Sequence, residues 1–264
     1  MGKSNKNDGA LMSMSGHLDV LRSMFMRVLA VTGVLATVIF CLKDKVFDIL
    51  MAPDSNHFVT FRFIERVTHA LGWDFRFKDY YIKLISTELS SQFMVHISTS
   101  IYLGLLLASP YIVYELFRFI SPALYEDEKR YSILIVTWIY GLFIAGIAMS
   151  YFILFPISFQ FLATYQVRPD IENTITLQSY ISTFITLSFM MGIVFQLPVI
   201  CYFLAKMGLV SGSMLARYRK HAFIVILVVS AIITPPDLFT LVCVALPMYL
   251  LYLVGVKIAQ RLNP

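Results

Sequence analysis

A chain of 264 residues that is 58% hydrophobic and only 14% charged, with a mean hydropathy of +0.75, is too apolar for a water-soluble domain. Its net charge of +5 would suit nucleic acid, but the basic residues lie between apolar runs and form no sustained patch, so they read as topology signals. Cys41, Cys201 and Cys243 are odd in number and lack CxxC spacing, which argues against both a disulfide framework and a cysteine metal site.

In chain order, residues 1–24 are polar or mixed and read as an amphipathic N-terminus. The first apolar run, 25–42, is followed by Lys43, Asp44 and Lys45 without a small-residue cleavage site, so it is expected to stay in the mature protein. Further runs at 93–117, 131–155 and 177–204 are long enough to cross hydrocarbon about 30 Å thick. A fifth run at 222–233 meets the turn Thr234-Pro235-Pro236-Asp237, and a sixth follows at 238–256. Twelve residues make only about 18 Å of helix, so the fifth run predicts a re-entrant hairpin or a locally thinned bilayer. The fold class predicted is an all-α, six-pass bundle of one membrane domain, concave, with short fifth and sixth helices. Pro110, Pro156, Pro198 and Pro247 fall in or at the ends of spans and predict kinks.

Lys3, Lys6, Arg22 and Arg27 at the start, Arg118, Lys129 and Arg130 after the second span, and Lys206, Arg217, Arg219 and Lys220 after the fourth place those flanks and both termini in the cytosol. The 43–90 segment carries seven basic and seven acidic residues, and its length makes it a weak topological vote, so it is expected outside. Within it, 64–71 and 79–89 have the mixed pattern of short amphipathic helices on the outer surface.

Two motifs stand out. Gly16-His17-Leu18-Asp19-Val20-Leu21-Arg22 opens the helix that leads into the first span, and Phe117-Arg118-Phe119-Ile120-Ser121-Pro122-Ala123-Leu124-Tyr125-Glu126-Asp127-Glu128-Lys129-Arg130 joins the second span to the third. Together with Tyr151-Phe152, Phe155-Pro156, Phe195-Gln196-Leu197-Pro198, Thr234-Pro235-Pro236-Asp237 and Pro247-Met248-Tyr249, they resemble the TatC family, the receptor subunit of the twin-arginine protein translocase, over about 16–256. In that family a glutamate stands where this chain has Val20, with Asp19 one residue earlier.

The resemblance implies an inner-membrane protein that captures Arg-Arg signal peptides of folded cargo and organises single-span TatA- and TatB-like partners, with energy from the proton-motive force and no cofactor. It makes Glu128 the signal-binding glutamate and Phe119 a supporting aromatic. Arginine presents a planar fork that a carboxylate receives in bidentate fashion and lysine cannot imitate. Glu126 and Asp127 add negative potential; read without the resemblance, the same acidic cluster is a solvated turn or a helix N-terminus. Leu18, Leu21, Pro122 and Leu124 are candidates for the signal's apolar region, Arg22 belongs to the same motif, and Asp19 is a partial substitute for the glutamate missing at Val20. Gln196, where the family often has glutamate, is the candidate partner-helix contact, against an ordinary interhelical hydrogen bond. Asp237, beside Thr234 and Pro235, is expected to cap the sixth helix or fix the outer turn, and Pro53 to begin the external cap. Glu115 is expected to pair with Arg118 at i,i+3.

No nucleophile triad, phosphate loop or HExxH pattern is present, so the sequence gives no support to an enzyme. The competing reading is a small secondary transporter using Glu115, Gln196 and Asp237, but no repeat symmetry accompanies those residues.

Overall fold

A computed structural model describes residues 14–54, 58–70, 72, 83–120, 132–168, 170 and 173–263. Among these, nearly every residue is helical, in the order α1 (Met14–Cys41), α2 (Lys43–Met51), α3 (Val59–Ala70), α4 (Ser91–Ile120), α5 (Ser132–Met149), α6 (Phe155–Thr164), α7 (Leu177–Val194), α8 (Leu197–Lys206), α9 (Gly212–Arg217), α10 (Arg219–Ile233) and α11 (Leu238–Leu262). Five stretches are long and apolar enough to cross a membrane: Leu18–Cys41, Ser91–Leu116, Val136–Thr164, Leu177–Lys206 and Leu238–Leu262. The sixth, α10, has 15 residues and so is about 22 Å long, which keeps the predicted short fifth pass. Its successor α11 is not short: it continues past residue 256 to Leu262, because Lys257, Gln260 and Arg261 prolong a helix readily.

The chain divides into two compact units, Met1–Cys41 with Ser100–Thr137, and Leu42–Thr99 with Trp138–Pro264. In the first, a Cβ added to Gly104 would stand 2.7 Å from the backbone nitrogen of Ala36, so α1 and α4 meet backbone to backbone. In the second, a Cβ on Gly146 would lie 2.5 Å from the Met191 carbonyl oxygen, and α5 and α7 touch in the same way. Ser150 and Ser188 share a hydrogen bond of 3.3 Å beside that crossing, and both are fully buried.

Pro156 and Pro198 stand just past irregular turns, whereas Pro110 and Pro247 lie inside continuous helices, and hydroxyls serve the carbonyls that Pro110 and Pro156 leave free. Pro110 lies inside α4 and has no N–H for Leu106; the Ser109 hydroxyl donates to the Leu106 carbonyl at 2.6 Å. Pro156 follows the π-helical turn Ser150–Leu154, and the Thr60 hydroxyl donates to the Phe152 carbonyl. Pro198 sits in the first turn of α8, just past a two-residue turn at Phe195 and Gln196, so the predicted fourth run is two helices.

The predicted external segment is built on the second unit by neutral hydrogen bonds. The final carbonyls of α2 accept from span residues: Ile49, which also takes the Ala52 N–H, from the Tyr151 hydroxyl at 2.7 Å and Leu50 from the Tyr180 hydroxyl at 3.0 Å. Pro53 is buried in a short 3₁₀ turn, Ala52–Asp54. Burial pushes the Asp54 carboxyl above the usual carboxylate range, and its Oδ1 has no hydrogen-bond partner. Residues 64–70 are helical in α3, as expected. The second expected helix, 79–89, is corrected at its described end: Leu84–Ile85 form a strand, β1, that pairs in parallel with β2, Ile175–Thr176. The β-branched Ile85 and Thr87 disfavour helix, and the backbone of Leu84–Ile85 finds its partners at Ile175–Thr176 instead.

Candidate functional site

In the first unit one carboxylate lies buried at a helix end that is otherwise apolar. Glu115, on the last turns of α4, is 3% exposed. Arg27 of α1 meets it with a fork, Nη2 to Oε2 at 2.8 Å and Nε to Oε1 at 3.3 Å. The Tyr111 hydroxyl donates to Oε1 at 3.0 Å, and Arg27 Nη1 donates to the Ser23 hydroxyl at 2.8 Å. Arg118, the partner expected at i,i+3, approaches Oε1 only to 4.0 Å and is largely exposed. The expected i,i+3 pair is present, but a side chain three residues on along the solvated edge of α4 reaches the carboxylate less closely than one facing it from α1. An unpaired carboxylate at this depth would be costly, and the guanidinium fork satisfies both of its oxygens.

Sequence reading took Arg27 as a topology signal and missed this pair. A signal was present. Arg27 is the third residue of the first apolar run and Glu115 the third from the end of the second, so two antiparallel spans put opposite charges at one depth. Two helical turns before Arg27 on the same face of α1 is Val20, the position of the family's glutamate. Asp19 is about 80° away around the helix, at 100° per residue. Leu18, Asp19, Val20, Leu21 and Arg22 are all exposed, and Phe119 is half-buried. The remaining signal-site candidates, Pro122, Leu124, Glu126, Asp127 and Glu128, lie outside the described residues, between the end of α4 at Ile120 and the start of α5 at Ser132.

Two further polar sites belong to the second unit. Gln196 occupies the turn between α7 and α8, where its Nε2 donates to the Ile139 carbonyl at 3.1 Å. Its Oε1 is buried without a hydrogen-bond partner among the described residues. At the turn between α10 and α11, Asp237 caps α11: Oδ1 accepts from the Thr240 N–H at 2.6 Å. The Thr234 hydroxyl donates to the Ser230 carbonyl at 2.9 Å, and the Ser230 hydroxyl to the Leu241 carbonyl at 2.8 Å. Pro235 lines a cleft of about 340 Å³ together with Phe155, Ser158, Phe159, Asn173 and Tyr180.

With this geometry in view, the family model described as "Sec-independent protein translocase protein (TatC)" matches residues 16–247. A protein of the same description from a Blattabacterium strain of Periplaneta americana is 32% identical over 258 residues, covering 96% of this chain and 97% of its own length. One from Helicobacter pylori J99 is 39% identical over 171 residues, 65% of this chain and 68% of its own. A crystal structure titled Twin Arginine Translocase Receptor-TatC superposes with a TM-score of 0.73 at 28% identity, over 93% of this chain and 98% of that one.

Proposed function

The chain belongs to the TatC family of Sec-independent protein translocase components, and on that premise we propose that it is the signal-peptide receptor of a twin-arginine translocase. The observation that carries the proposal is the loop Phe117–Arg130, whose Glu128 stands at the family's signal-binding glutamate within a chain matched over residues 16–247. In this reading the loop and both termini face the cytosol of a bacterial inner membrane, and Glu128 receives one arginine of the paired motif in fork geometry. Asp127 and Glu126 hold the local potential negative, while Phe119, Leu18, Pro122 and Leu124 receive apolar residues of the signal. Arg22 follows Asp19 in the same N-terminal motif.

The same premise supplies partners. Single-span TatA- and TatB-like subunits dock on the second unit, where the half-buried Gln196 is the polar contact for a partner helix and the Thr234–Asp237 turn bounds the docking surface. Gln196 does not titrate, so no proton step is assigned to it. Energy comes from the proton-motive force, and the chain supplies recognition without covalent chemistry. Site-specific photo-crosslinking from position 128 tests the proposal: labelling of an Arg-Arg signal and not of its Lys-Lys twin is expected, and equal labelling of both by a correctly inserted protein would refute it.

A further inference from the structure

Helix α3 has two opposed edges, and among the described residues only one is covered. At 100° per residue, Phe61 and Thr68 point one way, while Val59, Phe63, Val67 and Ala70 fall within about 80° of each other on the far side. The inner edge is packed: Phe61 is fully buried and Thr60 and Phe58 nearly so. The outer edge is bare, with Val59 64%, Phe63 65% and Val67 41% exposed. Arg62 and Arg66 flank that outer stripe on one side and are themselves exposed.

The depth at which α3 is held says what covers the stripe. Its first turn is tied to a membrane span, because the Thr60 hydroxyl serves the Phe152 carbonyl beside the Pro156 break. The Phe58 ring, just before α3, packs on the same place, 5.6 Å from the Tyr151 ring and 6.1 Å from the Phe152 ring. The span Val136–Thr164 has 29 residues, about 43 Å of helix against a hydrocarbon core of about 30 Å, so it overhangs the core. Counting about 20 residues, one core thickness, from the start of that span at Val136 arrives at Pro156, one helical turn past Phe152. Thr60 therefore fastens α3 within about one helical turn of the level where hydrocarbon gives way to headgroups. Tyr151 at the same level, with an apolar ring and a bonded hydroxyl, is the residue type that settles at such a boundary.

We propose that α3 is an interfacial anchor: Val59, Phe63, Val67 and Ala70 lie in the acyl-chain boundary of that leaflet, and Arg62 and Arg66 reach lipid phosphates. Twelve residues, about 18 Å, suffice for such a helix lying in the membrane plane, and arginines bordering the stripe complement phosphate as a purely apolar partner surface would not. The helix is thus held from two directions, by lipid on one edge and by the proline-freed carbonyl of a span on the other.

The test is the phase of solvent accessibility around α3. A nitroxide-bearing unnatural amino acid is placed singly at positions 59, 62, 63, 66 and 67 of the full chain, natural cysteines retained, in phosphatidylglycerol/phosphatidylethanolamine nanodiscs. Collision with oxygen and with a water-soluble nickel chelate is then measured at each position. Labels at 59, 63 and 67 are expected to favour oxygen and those at 62 and 66 nickel, an alternation with helical period. Preference for nickel at all five positions would overturn the proposal, as would shielding of 59, 63 and 67 from both reagents, which would mean that protein covers the stripe. Signal-peptide recognition does not enter this readout, so its outcome is separate from the receptor reading.

Discussion

The two units are fastened by different chemistry. In the first, a charged contact between Arg27 and Glu115 joins residues 88 apart in sequence, whereas in the second a set of neutral bonds runs from hydroxyls to backbone carbonyls: Tyr151 to Ile49, Tyr180 to Leu50 and Thr60 to Phe152. The C-terminal helices continue that pattern, with the Tyr252 hydroxyl on the Leu215 carbonyl at 2.7 Å and Asn263 Nδ2 on the Ala205 carbonyl at 2.5 Å. The difference is one of failure mode. A buried ion pair is worth little until one partner is lost, when the other becomes an uncompensated charge; neutral bonds fail one at a time, each by a small amount.

The sharpest way to break this comparison is Arg27→Leu, which leaves the buried Glu115 without its main partner. The thermal midpoint in nanodiscs is expected to fall by several degrees. Glu115→Leu falls less, because Arg27 is 42% exposed and its long stem lets the guanidinium reach water. The double variant should match Glu115→Leu; equal and additive losses for the two single changes would mean that the pair is not a unit. Next is Gly146→Val, which must push α5 off the Met191 carbonyl and should cost about 1–3 kcal/mol in the same melts. Tyr180→Phe leaves the Leu50 carbonyl without the side-chain donor that α2 relies on, and should cost about 1 kcal/mol. Combined with Tyr151→Phe the loss should be less than the sum, since both tyrosines hold the same helix end.

Smallest is a pH effect at Asp54. Its raised carboxyl means that the folded chain binds this proton more tightly than the unfolded chain does, so the group disfavours folding progressively as pH climbs from the ordinary aspartate range through the raised value. Asp54→Asn should flatten that part of the stability–pH curve, and an unchanged slope would assign it to other carboxylates.

The helices were legible in the sequence because apolar length is a one-dimensional property, and so were the prolines that interrupt them. The Asp237 cap was also legible, since capping acts within one turn. What sequence could not show were partners set by three-dimensional approach. Arg118 is three residues from Glu115 and Arg27 is 88 away, yet Arg27 makes the closer contact, because α1 faces the buried side of α4. The strand at Leu84–Ile85 was missed for the same reason: a two-residue ladder has no periodicity to detect, and its partner lies 91 positions on.

The central claim is that Glu128 distinguishes paired arginines from paired lysines. Its most direct test is the binding of Arg-Arg and Lys-Lys signal peptides to the full chain in nanodiscs, with and without Glu128→Gln. The account predicts a clear Arg-Arg preference in the natural chain that collapses in the variant while the thermal midpoint holds; a preference that survives Glu128→Gln undiminished would contradict it.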